Sequence, residues 1–273
     1  MRIVLEVRQD CSSPISLKEV NLSGLFGLST GDIMALPLSH LGQHLMVGDV
    51  FKADVRDSDR DKVLLSGNTR LLQYCGHGLD SERVEIKGDA GAYAGLGMSG
   101  GELVIHGNAG DCLGVAMSGG KISVVGNAGD WCGASLAGES KGMSGGVILV
   151  GGNAGSNLGG GLRRGLIAIA GNCGQYTGAR MLAGTILCLG DIGANPGFGM
   201  LRGSLVAGTI QSTLPGFKST GLADTGWLRL YLKRLLQNGF TIPPDWLERQ
   251  PARFSGDHLV SGKGEILAYE FPQ

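Results

Sequence analysis

Glycine recurs in this chain with a long, fixed period: Gly88, Gly107, Gly126, Gly152, Gly171 and Gly190 are 19, 19, 26, 19 and 19 residues apart. Such a period marks a stack of repeated supersecondary units, none of which can bury its apolar face alone. The first two units read GDAGAYAGLGMSGGELVIH and GNAGDCLGVAMSGGKISVV. Later ones read GNAGSNLGGGLRRGLIAIA, GNCGQYTGARMLAGTILCL and GDIGANPGFGMLRGSLVAG. The 26-residue interval holds a seven-residue insertion around Gly138 to Gly142. A degenerate unit running to Lys87 precedes the set, and another begins near Thr209.

Each unit closes on an alternating stretch such as Glu102–His106 or Lys121–Val125. A period of two is the mark of a half-buried strand. The glycines before it mark corners, and a methionine or leucine ahead of the corner (Met98, Met117, Leu136, Met143, Leu162, Met181, Met200) supplies a second inward side chain. The pattern predicts an all-β fold, a right-handed parallel β-helix of 19-residue Gly-rich repeats, with a small N-terminal α/β cap and a C-terminal helix plus hairpin. A leucine-rich repeat of similar period would need an L-x-x-L-x-L pattern, which is missing.

The expected divisions are an N-terminal cap over 1–66, the repeat domain over 67–216 and a C-terminal cap over 217–273. Short strands are expected at Arg2–Val7 and Met46–Val55. Thr225–Gly239 reads as an amphipathic helix with Leu228, Tyr231, Leu232, Leu235 and Leu236 on one face. Phe254–Tyr269 reads as a hairpin turning at Ser261–Gly264. Helix and hairpin are expected to cap the far end of the column, where a bare edge invites aggregation. A docking role for the helix is the alternative.

Composition narrows the function classes. Fifty glycines beside 42% hydrophobic residues exclude a disordered linker, and the glycines lack collagen's triplet spacing. Lys plus Arg number 23 and Asp plus Glu 24, so charge gives no reason to expect nucleic acid or an anionic membrane as partner. No apolar run reaches the ~18 residues of a membrane span, and MRIVLEVRQD alternates where a signal peptide would be continuously apolar. A cytoplasmic protein with reduced thiols is expected.

Catalytic motifs fail on context. Gly95–Gly100 matches G-x-G-x-x-G, and the segments around Ser99 and Ser144 match G-x-S-x-G, but a strand follows where a helix is required. The repeat's own corners account for these glycines. Cys112, Cys132, Cys173 and Cys188 occupy different positions of their units, and His40 with His44 lacks a nearby third ligand, so no metal site is expected.

Two polar patterns remain. The second position of the unit is Asn68, Asp89, Asn108, Asn127, Asn153, Asn172 and Asp191, which reads as a structural Asx ladder across a tight turn. Arg163, Arg164, Arg180 and Arg202 sit at or before the corner that earlier units fill with Ser-Gly, so stacking is expected to gather them on one edge. A solvated face is one reading of that edge; contact with an anion or acidic partner is the other.

The repeat is followed by Leu214-Pro-Gly-Phe-Lys-Ser-Thr-Gly221 and by Phe254-Ser-Gly-Asp-His-Leu259, and it contains Gly138-Glu-Ser-Lys-Gly-Met-Ser-Gly145. Together these resemble the C subunit of the formylmethanofuran dehydrogenases over nearly the whole chain, in particular its bacterial relative in the formyltransferase/hydrolase complex. The resemblance implies a non-catalytic scaffold subunit. Its complex transfers a formyl group from tetrahydromethanopterin to a methanofuran-type carrier and releases formate, as part of formaldehyde oxidation. Partners would be amidohydrolase-like and formyltransferase-like chains, the former holding the metal. The resemblance assigns this chain no catalytic residue, cofactor or metal; a polyglutamyl tail on the carrier would suit the arginine edge. Two alternatives stay open. One is the C subunit of an archaeal-type molybdenum or tungsten dehydrogenase. The other is a β-helix domain like that of glutamate synthase, which shares the repeat type within a much longer polypeptide.

Overall fold

A computed structural model describes residues 1–8, 13–40, 43–58 and 61–271, without the side chains of 39, 40 and 43. The molecule is mainly β, with few helices and one long, largely parallel sheet. The strands are β1 (Arg2–Val7), β2 (Ile15–Ser16), β3 (Pro37–His40), β4 (Gln43–Met46), β5 (Phe51–Arg56), β6 (Lys62–Ser66), β7 (Leu72–Gln73), β8 (Arg83–Ile86) and β9 (Ser99–Ile105). They continue with β10 (Gly119–Val124), β11 (Val147–Val150), β12 (Leu166–Ile169), β13 (Thr185–Ile192), β14 (Ser204–Ile210), β15 (Lys218–Leu222), β16 (Ala252–Gly256) and β17 (Gly264–Glu270). The α-helices are α1 (Thr30–Met34), α2 (Val47–Val50) and α3 (Gly226–Gln237).

Thirteen strands form the main sheet in the order β15-β16-β17-β14-β13-β12-β11-β10-β9-β8-β6-β1-β5. Pairing is parallel from β1 through β17 and antiparallel only at the two ends. The 19-residue period sets the register, so equivalent residues stack: Val84, Leu103, Ile122, Ile148, Ile167, Ile186 and Leu205 form one file. Ile3 and Val63 extend the file at one end and Ile266 at the other, and all ten side chains are fully buried. A second line of parallel bridges joins Ala90, Ala109, Ala128, Ala154, Cys173 and Ile192, three residues into successive rungs. The core lies between this line and the sheet, filled also by Met98, Met117, Met143, Leu162, Met181 and Met200. Leu136, expected inward, is half-buried instead; the insertion carries it past the corner, and Met143 takes the inward position.

The sheet runs through both expected divisions, because β1 and β6 extend it on one side and β17 on the other. Beyond Ile210 no further parallel strand forms from the degenerate unit near Thr209; β17 takes that place beside β14. The strand expected over Met46–Val55 is broken by α2 and resumes as β5, since Asp49 accepts the Met46 N–H at 2.8 Å and closes a helical turn.

The C-terminal helix lies elsewhere than expected. Rather than covering the end of the column, α3 packs Leu228, Leu232 and Leu235 in one apolar cluster with Leu149, Leu166, Ala168, Leu187, Val206 and Leu267, the outward residues of β11–β14 and β17. Tyr231 and Leu236, placed by periodicity on the buried face, are 40% and 41% exposed. A sheet surface accepts a narrow stripe of one helix, and these two flank it.

Candidate functional site

The second-position residues meet across one corner. Asp89 Oδ1 accepts the Asn108 N–H at 2.7 Å, and Asn108 Oδ1 accepts that of Asn127 at 2.9 Å. The series continues through Asn153, Asn172 and Asp191 at 2.8, 2.8 and 2.9 Å. Asn68 stands outside it: a 3-10 turn begins there, and Thr69 Oγ1 reaches the Asp89 carbonyl instead. A second, shorter ladder runs three residues further on, with Asp111 Oδ1 accepting Asp130 N–H at 2.9 Å and Asp130 Oδ1 accepting Ser156 N–H at 2.7 Å.

Beside the second ladder, the sixth residue of each full unit has a left-handed backbone, as does Tyr74, 19 residues before the first of them. Tyr74, Tyr93, Cys112, Trp131, Asn157, Tyr176 and Asn195 all have φ between 58° and 63°. Stacking puts Tyr74 on Tyr93 with centroids 4.8 Å apart and planes 4° from parallel, and Lys18 Nζ lies 5.8 Å from the Tyr74 centroid. Trp131 is 45% exposed. Sequence reasoning passed over both features; the recurring Tyr, Cys and Trp at the sixth position were the available signal.

The four arginines divide. Arg164 and Arg202 hold the same position two rungs apart with Ala183 between them, and Arg163 precedes Arg164. Arg180 lies three residues earlier in its rung, with left-handed φ of 54°, around a different corner. All four are exposed, and none makes an ion pair among the described residues. Arg164 instead faces α3 across a groove of about 620 Å³ that Tyr231, Arg234 and Thr185 help to line. The lining contains two guanidinium groups and no carboxylate. Across β8–β10 the charges are matched: Arg83 bonds Glu85 and Glu102, and Lys121 lies 3.5 Å from Glu102.

Burial pushes the Cys75 and Cys132 thiols up to about 12. Cys173 and Cys188 are also buried and Cys112 is half-buried, while Cys11 and the His40 side chain lie outside the described residues. Among the described residues, no group of three or more His, Cys, Asp or Glu is placed to hold a metal ion. Ser99 opens β9, and Ser144 is followed by β11, so no helix follows either serine. No helix of the described residues is long and apolar enough to cross a membrane.

Stacked 19-residue rungs, two Asx ladders and a covering helix define a mainly-β repeat protein on a long parallel sheet. No family model matches the chain. The C subunit of the tungsten-containing formylmethanofuran dehydrogenase 2 of Methanococcus maripaludis is 30% identical over 91 residues, 33% of this chain and 34% of that one. That match therefore spans about a third of the relative's length. The crystal structure of the formyltransferase/hydrolase complex from Methylorubrum extorquens with methylofuran contains a chain 34% identical to this one. Its TM-score is 0.89, over 98% of this chain and 99% of that one. The chain belongs to the C-subunit family of the formylmethanofuran dehydrogenases.

Proposed function

We propose that this chain is the non-catalytic subunit of a formyltransferase/hydrolase complex that passes a formyl group from tetrahydromethanopterin to a methanofuran-type carrier and releases formate. The observation that carries this reading is the whole-chain similarity to one chain of the Methylorubrum complex, flanks included. Amidohydrolase-like and formyltransferase-like chains supply the chemistry. This chain supplies a rigid wall: a right-handed parallel β-helix, a reading supported by the two stacked hydrogen-bonded files and by the strong right-handed bias of parallel crossovers. The repeat domain spans 67–216, with the N-terminal segment and the C-terminal helix and hairpin packed around it.

The arginine edge belongs to this function. Arg164 and Arg234 in the groove, with Arg163 and Arg202 on the same edge, contact an acidic partner surface or the anionic carrier. Arg180 plays no part in that edge. Mild affinity purification of the tagged chain from its native host, with native mass and a formyl-transfer assay, tests the assignment. Recovery of a complex active only as an assembly is expected; an isolated chain with its own activity would overturn it. Replacing Arg164 and Arg202 by Ala is expected to weaken assembly or carrier affinity most at low salt, because exposed charges are screened as salt rises. Unchanged affinity would remove the edge from the mechanism.

A second reading, the C subunit of a molybdenum or tungsten formylmethanofuran dehydrogenase, is supported by the Methanococcus relative. Molybdenum, tungsten and iron–sulfur analysis of the same purified complex separates the two.

A further inference from the structure

The face bearing the two ladders carries more chemistry than stacking needs. Residues 88–93, 107–112, 126–131, 152–157, 171–176 and 190–195 include four aspartates and neither lysine nor arginine. Asp111 and Asp130 each accept the next rung's N–H, but asparagine does the same work at Asn108, Asn127, Asn153 and Asn172. The negative charges are therefore surplus to the ladder, and they stand on adjacent rungs ~4.8 Å apart, where like charges repel. The sixth position shows the same surplus. Its left-handed backbone suits glycine, which this chain uses two residues later at Gly95, Gly114 and Gly133. Tyrosine and tryptophan occupy it nonetheless at Tyr93 and Trp131.

Aromatic faces flanked by carboxylates attract cations, and Lys18 over Tyr74 shows one lodged on this column. The carboxylates lie in a row rather than converging, which suits a row of basic side chains better than a metal ion. We propose that the face centred on Tyr93, Asp111, Asp130 and Trp131 docks a basic surface of a partner subunit. The partner's lysine or arginine groups lie against the two carboxylates and the exposed ring of Trp131, beside the Tyr74–Tyr93 stack. This rests on the reading of the chain as a subunit of a hetero-complex.

The test is reconstitution of the purified chain with the partner chains that copurify with it, using two variants. The double variant Asp111→Asn/Asp130→Asn keeps both ladder acceptors, and Trp131→Gly relaxes the left-handed backbone. Both are expected to leave the isolated chain's thermal midpoint unchanged or higher, while the dissociation constant rises at least about tenfold. The double variant is also expected to flatten the salt dependence, and hydroxyl-radical labelling of Tyr93 and Trp131 in the native chain to fall severalfold on assembly. Native-like assembly by both variants, with labelling unchanged, would overturn the proposal while leaving the subunit assignment intact. A native chain that self-associates through this face, and becomes monomeric in the double variant, would overturn it in favour of a second copy. No assembly even by the native chain would instead remove the reading on which it rests.

Discussion

Asn127 shows what one residue does in this molecule. Its side-chain oxygen accepts the Asn153 N–H, while its own amide nitrogen reaches Asn108. Asn127→Ala leaves that N–H without its protein acceptor and is expected to lower stability by about 1 kcal/mol. Asn127→Asp keeps the acceptor and should lose less, as thermal denaturation of both variants will show. The second-position ladder was legible because the same short polar residue recurs at each period. The fifth-position ladder was not, because only Asp111 and Asp130 accept and the equivalent residues elsewhere are Ala92, Ser156, Gln175 and Ala194. At the same scale, the folded chain holds the Cys75 and Cys132 protons up to a pH of about 12, whereas unfolded thiols release them near their ordinary 9.0. Stability from these groups is complete below pH 9.0 and is lost as the pH rises towards about 12. Denaturant midpoints should fall across that window, and less steeply in Cys132→Ala. Thiol alkylation mapped by mass spectrometry should spare both residues until denaturant is added.

At the scale of the element, the corner and the strand fail in opposite ways. A β-carbon at Gly119 would lie 2.0 Å from the Ser99 carbonyl oxygen on the neighbouring rung. Backbone cannot move aside as a side chain does, so Gly119→Ala is expected to cost about 3 kcal/mol. Ile148→Ala leaves a cavity in a fully buried file and is expected to cost about 2–5 kcal/mol. Chemical denaturation checks both; a near-native midpoint for Gly119→Ala would mean the rungs can slide apart at that corner. The strands and their register were readable from the 19-residue period, since period two marks each strand and equal spacing stacks them. The seat of α3 was not read, although its signal is present. Early strands such as Lys121–Val125 alternate, whereas Val147–Val150 and Leu166–Ile169 are apolar throughout. A strand that is apolar on both faces needs cover on both, and α3 provides the outer layer.

For the whole molecule, that layer closes the stack sideways. Leu232→Ala is expected to lower stability by about 3 kcal/mol and to raise binding of a hydrophobic dye by uncovering the outer side of β11–β14. Unchanged dye binding would show that another segment covers that surface. Charge is also unevenly spread, because the groove beside α3 presents Arg164 and Arg234 while the ladder corner presents Asp111 and Asp130. The near-zero net charge hides this, because a sum over the chain says nothing of how charge is spread over its surface. The arginine edge was partly legible: equal positions in the repeat put Arg164 and Arg202 on one line, whereas Arg180, grouped with them as preceding the same corner, lies three residues earlier in its rung.

The seven-residue insertion leaves Ile122 paired with Ile148 and Val124 with Val150, as though it were absent. Chain length between rungs is free to vary; the separation of rungs is not. Distance along this protein is thus counted in strands, each division ~4.8 Å, like the graduations of a rule. Any group carried on a corner loop is delivered at a fixed graduation, however long the loop that bears it.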